Sequence, residues 1–233
     1  MLSLFSPKNK IVPAEVGGVR VKPSVRARRL SLRIDARAGD VVLVWPRRAS
    51  EKSALQFVCE NRRWIETQKS RLTGERLLQA GDKVSVRGCD YVIEHRSGRG
   101  VTRFEGDAIV VHGDIAHFPR RLRDFLKKES RRVLTECARE KTRELNLYFK
   151  SLRVIDPNTR WGSCGHDGRL MFSWRLILAP EDVLDYVVAH EIAHLVHMNH
   201  SKKFWALCAS LTKDAAASRR WLREHGMRLL RFQ

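Results

Sequence analysis

Residues 190–194 read His190-Glu191-Ile192-Ala193-His194, and His200 follows six residues after the second histidine. Imidazoles four residues apart share one face of an α-helix and can reach a single metal ion. The carboxylate beside the first imidazole can then take a proton from a water at that metal, the arrangement of zinc-dependent hydrolysis. The flanking residues predict the helix. Ala179-Pro180-Glu181-Asp182 offers a proline for the first helical position and acids for the first turn. Val183, Leu184, Val187, Val188, Ala189, Ile192, Ala193, Leu195 and Val196 make the segment apolar on most sides, so the helix is expected to be buried. Polar groups on a buried helix need partners. Hydrogen-bonded core histidines beside a salt-bridged glutamate would also meet that need, but the four-residue spacing favours a metal.

A catalytic zinc takes three protein ligands. His197 lies on nearly the same helical face as His190 and His194. At a rise of about 1.5 Å per residue it would stand about 10 Å along the axis from His190. With Zn–N bonds of about 2 Å, those rings cannot share one ion. The third ligand is therefore expected beyond the straight helix. Asn199 tolerates a left-handed conformation and can end the helix, leaving His200 free to swing back. Ser201 can cap a further helix from Lys202 to about Leu211, with Phe204, Trp205, Leu207, Cys208 and Leu211 on its apolar face. His200 is the candidate ligand, with Asp214 and Glu224 as acidic alternatives. His197 is assigned to the surroundings of the ligands or to a pocket wall.

Upstream, Ser151–Ile155 reads as a strand that Thr159–Cys164 continues. Arg169–Trp174 returns after a His166-Asp167-Gly168 turn. Arg160-Trp161-Gly162-Ser163-Cys164, Trp174-Arg175-Leu176-Ile177-Leu178-Ala179-Pro180, the H-E-x-x-H stretch, Asn199-His200-Ser201 and Phe204-Trp205 together resemble the YgjP-like family of predicted zinc metallopeptidases. Arg26-Ala27-Arg28-Arg29-Leu30-Ser31-Leu32 extends the likeness over most of the chain. That family is related to SprT-like and other zincin peptidases. The resemblance implies a zincin catalytic domain, His190, His194 and His200 as zinc ligands and Glu191 as general base, and it implies little about the substrate. The expected function is a metallopeptidase with one Zn2+ per chain, acting on a protein or peptide substrate. The resemblance also places Arg160–Cys164 near the cleft, where an extended peptide can add to a strand edge.

Arg160, Trp161 and Gly162 are thus candidate substrate-binding residues. Gly162 permits close backbone approach. Trp161 can wall a subsite or serve as plain core. Arg160 can grip a carbonyl or carboxylate, or pair with Asp156 or near Glu191. His197, His166 and Arg160 are candidates for a second oxyanion donor. Met227 can lie beneath the metal or simply pack. Cys164 with His166 admits a cysteine-hydrolase reading, but no third orienting group accompanies them.

Charge is the second signal. The 45 Lys and Arg outnumber 26 Asp and Glu, a formal net charge of +19. Pro119–Lys150 reads as a long helix with Leu122, Leu126, Val133 and Cys137 on one stripe and Arg120, Arg121, Lys128, Arg131, Arg132, Arg139 and Arg143 opposite. This face either keeps the protein soluble or meets an anionic partner, DNA or RNA among them. A nucleic-acid-binding protein with a structural zinc and no hydrolase activity is the alternative function. Five widely spaced cysteines without C-x-x-C argue against a disulfide framework or zinc ribbon. No apolar stretch approaches the ~20 residues of a membrane span. Met1–Lys10 meets lysine and proline too early for a secretory signal. A cytoplasmic setting is expected.

The chain is expected to be α+β: a zincin-like metallopeptidase domain over residues 118–233, with the H-E-x-x-H helix and a short β-sheet, preceded by a β-rich region over residues 1–117 with one helix. That helix is predicted from Ser50 to Leu72. Arg29–Ile34 and Asp40–Trp45 should form a hairpin. Short strands are expected at Lys83–Arg87, Tyr91–His95, Val101–Phe104 and Ala108–Val111, punctuated by glycines.

Overall fold

The computed structural model describes residues 12–35, 38–71, 77–157 and 160–232. The readings placed on Met1–Lys10, Leu72 and Thr159 lie outside these residues. Among the described residues the chain is α+β, with three mixed sheets and six α-helices. It divides into two compact units, residues 1–74 and 75–233.

In the first unit, β1 (Glu15–Val16), β2 (Val19–Ser24), β3 (Ser31–Asp35) and β4 (Asp40–Pro46) form a sheet of order β1-β2-β4-β3. β3 and β4 are the expected antiparallel hairpin, and Gly39 in its turn has a φ of 62°, which glycine adopts without strain. β4 is buried from Val41 to Trp45 and also pairs in parallel with β2. The helix expected from Ser50 onward is two helices, α1 (Glu51–Glu60) and α2 (Arg62–Arg71). A reciprocal Ser50–Ser53 cap starts α1. The break falls at Asn61, whose side-chain amide donates to the Phe57 carbonyl at 2.8 Å, a local bond that competes with helix continuation.

In the second unit, β5 (Lys83–Val86), β6 (Cys89–Arg96), β7 (Arg103–Glu105) and β8 (Ala108–His112) form a sheet of order β5-β6-β8-β7. Arg87 and Gly88 join β5 to β6 with φ of 53° and 86°, the two positive values a type I′ turn requires. The Arg87 amide donates to the Ile177 carbonyl at 2.8 Å, and its guanidinium pairs with Glu181. Ile93, Ile109 and Val111 enter the same buried cluster as Leu122, Leu126, Val187 and Phe204. This is why the compact units divide at Gly74, whereas the sequence suggested a boundary near residue 118: the inner face of this sheet is part of the core that carries the histidines.

α3 (Phe118–Glu144) buries Leu122, Leu126 and Val133 and leaves Arg120, Lys128, Arg131, Arg132, Arg139 and Arg143 exposed, as its spacing predicts. Buried Lys141 places its ammonium 2.5 Å from both Asp185 and the Leu211 carbonyl. β9 (Ser151–Ile155), β10 (Gly162–Cys164) and β11 (Arg169–Ser173) form the third sheet, of order β10-β11-β9. β10 therefore does not continue β9; the two flank β11 on opposite sides, antiparallel and parallel to it respectively. A 3-10 turn over Trp174–Leu178 leads into α4 (Glu181–Ala193), α5 (Lys202–Ser210) and α6 (Ala215–Leu229). Within that turn Arg175 is buried; it pairs with Asp156 and donates to the Phe232 carbonyl at 2.7 Å. Asp156, a suggested partner for Arg160, thus anchors Arg175. No helix among the described residues is long and apolar enough to cross a membrane.

Candidate metal centre

α4 is buried over most of its circumference, as its apolar composition requires. Pro180 stands at its N-cap, one position earlier than expected, with Glu181 and Asp182 in the first turn. The sequence predicts a helix running to about Asn199. It ends at Ala193, with His194 as the capping residue. The amides of Leu195 and Val196 reach back only three residues, to Ile192 and Ala193, which tightens the last turn and lets the chain double back. Ser201 then accepts from the Phe204 amide and starts α5, as predicted.

This doubling back brings His200 onto the pair from α4. One ring nitrogen from each of His190, His194 and His200 lies within 4.8 Å of the others. The Nε2 atoms of His190 and His200 are 3.2 Å apart. Two nitrogens bonded at about 2.0–2.1 Å to a tetrahedral ion would be separated by about 3.3 Å, so this spacing suits a shared metal. The His194 Nδ1 lies 3.0 Å from the His197 carbonyl. A carbonyl only accepts, so Nδ1 carries the proton and Nε2 keeps its lone pair for a metal. His197 thus acts through its backbone, not its ring. His190 Nδ1 is buried with no hydrogen-bond partner among the described residues.

Burial disfavours a charge on two of the three rings. Burial, reinforced by His194 and His200, pushes His190 down to about 4. Burial also holds His194 below the usual imidazole range. Neutral imidazoles with free lone pairs are what a metal requires. The floor is aromatic: the fully buried Phe204 ring has its centroid 4.9, 4.5 and 4.7 Å from those of His190, His194 and His200. The Trp205 ring lies 5.4 Å from His200 and 5.7 Å from His190.

Glu191 is buried, and burial pushes its carboxyl up to about 7, partly offset by the Arg160 guanidinium. Its side chain lies against the backbone of Gly162 in β10, where a Cβ would stand 2.7 Å from the Glu191 Cγ and Oε1. The close approach expected at Gly162 is present, but the group that approaches is Glu191. Trp161 is half-buried against the core, and its indole lies over Gly226 of α6. Arg160 is exposed. Asp214 caps α6 through the Ala217 amide, and Glu224 lies on the exposed face of that helix; neither joins the histidine cluster. His166 is exposed, and burial together with Glu191 and Asp167 pushes the Cys164 thiol up to about 11, which leaves little thiolate for a cysteine hydrolase.

Three contributors are left unassigned by the sequence reading. Phe204 is legible there only as part of an apolar face. Tyr186, one turn before His190 with its ring 6.1 Å away, follows from i, i+4 spacing. Arg219, stacked on Trp205 at 4.6 Å, carries no local signal.

Residues 28–225 match the family model described as YgjP-like, metallopeptidase domain. Among solved structures, the metallopeptidase zymogen of Pyrococcus abyssi abylysin is similar at 16% identity and a TM-score of 0.35, over 40% of this chain and 92% of that one. No curated protein matches.

Proposed function

This chain belongs to the YgjP-like metallopeptidase family, and from that premise we propose that it is a zinc-dependent peptidase of zincin type whose general base is Glu191. The observation that carries this reading is the cluster, among the described residues, of three histidine nitrogens within 4.8 Å of one another, next to the buried carboxyl of Glu191. His190, His194 and His200 would hold the ion. An all-imidazole set of three suits zinc and leaves a coordination position open. When bound, zinc supplies Lewis acidity toward water and the scissile carbonyl.

The chain's own residues do the rest. Glu191 accepts the proton of the attacking water at its carboxylate and returns it to the leaving amine. The His197 carbonyl fixes the His194 ring, and Phe204 and Trp205 exclude solvent beneath the histidines. β10 is an edge strand of its sheet, which supports pairing of an extended substrate along Arg160, Trp161 and Gly162.

A structural zinc would call for a fourth protein ligand and has no use for a base; among the described residues the cluster stops at three. Zinc removal by a chelator should abolish hydrolysis of an unfolded protein substrate, and one equivalent of zinc should restore it. Chelator-resistant hydrolysis would sink the proposal. The exposed cations of α3 support a second reading, that substrates are met on DNA or RNA. Binding to either should weaken steeply with salt, and binding indifferent to ionic strength would end that reading.

A further inference from the structure

Among the described residues, a guanidinium stands beside the histidine cluster with no carboxylate to meet it. Arg219 is exposed on α6, its Cζ 4.6 Å from the centroid of the Trp205 ring. That ring in turn lies 5.4 Å from His200 and 5.7 Å from His190. Among the described residues Arg219 has no carboxylate partner.

The position of Arg219 is fixed by its neighbours. Asp214 caps the start of α6 through the Ala217 amide at 2.8 Å. The Ser218 hydroxyl donates to the Asp182 carbonyl of α4 at 3.1 Å, docking the first turn of α6 on the helix that carries His190. Farther along, Gly226 of α6 lies against the Trp161 indole. A guanidinium stacked on an indole keeps its edge N–H donors free, in the fork geometry that matches a carboxylate. On the β10 side, Arg160 is likewise exposed. The carboxylate of the centre itself, Glu191, is buried.

We propose that Arg219 reads a carboxylate of the substrate, so that the site favours peptides carrying an acidic group close to the scissile bond. This rests on the peptidase reading above and adds the substrate class to it. The carboxylate can come from an acidic side chain or from the end of a chain, and the probes separate the two.

Three fluorescein-labelled octapeptides serve: one with a central glutamate and an amidated C-terminus, its glutamine counterpart, and that counterpart with a free C-terminus. Binding is read by anisotropy on zinc-loaded Glu191→Gln protein, and cleavage is read separately on the wild type. One of the acidic peptides should bind about tenfold more tightly than the neutral one, the worth of one charge-assisted hydrogen-bonded contact. Arg219→Gln in the same background should bring that ratio close to one. Arg220→Gln, which removes an equal charge from the neighbouring exposed position, should preserve it. A wild-type ratio of one, a ratio that survives Arg219→Gln, or equal losses in both variants would overturn the proposal. If no peptide is cleaved while the Arg219-dependent preference persists, the peptidase reading fails and the carboxylate site stands. If peptides are cleaved without any such preference, the carboxylate site fails and the peptidase reading stands.

Discussion

A Cβ placed on Gly162 would stand 2.7 Å from both Cγ and Oε1 of Glu191. The backbone of β10 is therefore the surface against which the candidate base is seated. The clashing atoms belong to a flexible side chain, so Gly162→Ala should move the carboxylate rather than unfold the chain. Metal content and thermal midpoint should stay near wild type, while kcat/KM falls by about 100-fold, the scale of a displacement near 1 Å at a reacting group. Wild-type turnover in Gly162→Ala would mean that the seat does not matter.

The two histidines of the loop should separate cleanly. His200 offers its ring to the cluster, whereas His197 offers only its carbonyl. After dialysis, His200→Ala should retain far less than one zinc per chain, and His197→Ala should retain close to the wild-type amount. Metal analysis of the two proteins decides the matter; equal retention would contradict the assignment.

Phe204 is fully buried beneath all three histidine rings. Truncating it to alanine removes a buried aromatic and leaves a cavity. Phe204→Ala should cost about 3–5 kcal/mol in denaturant unfolding of the metal-free protein. A cost below about 1 kcal/mol would show that the floor is not tightly packed.

The H-E-x-x-H helix, its helical neighbour α5 and the swing of His200 between them are legible in the sequence because they are local. Their signals are the 3.6-residue period, Ser201 as a cap, and the rise per residue that rules out a third ligand on the same straight helix. The exit of α4 is less so. Its apolar run continues through Leu195 and Val196, yet the three-residue bonds of the last turn end it at Ala193, and burial pattern alone does not reveal that geometry. The contacts of Gly162 with Glu191, Trp161 with Gly226, and Arg219 with Trp205 join residues dozens of positions apart or on different helices, where periodicity carries no information. The same holds for the 83–112 sheet. Its strands are visible one by one, but its place in the second unit depends on packing against α3 and the Trp174–Leu178 turn.

The cysteines should divide by environment. Burial, with Asp185 adding to it, pushes Cys137 up to about 12, and burial first of all pushes Cys164 and Cys208 up to about 11. A raised thiol pKa lowers the thiolate fraction at any given pH, and only the thiolate attacks an alkylating agent. At pH 8 iodoacetamide should therefore label exposed Cys59 and Cys89 first, with the other three reacting only as the pH climbs toward their raised values or when the chain unfolds. Peptide mapping after brief labelling would show this order. Rapid labelling of Cys164 at pH 8 would reopen a nucleophilic role for it.

As proposed, Glu191 serves a metal held by His190, His194 and His200 without itself holding it. Glu191→Gln preserves the shape of the side chain and removes the base. Metal analysis and a proteolysis assay on matched wild-type and Glu191→Gln proteins test the claim together. Both proteins should carry about one zinc per chain, and the wild type alone should hydrolyse the substrate. A wild type that binds no divalent metal, or a Glu191→Gln variant that cleaves as the wild type does, would contradict it.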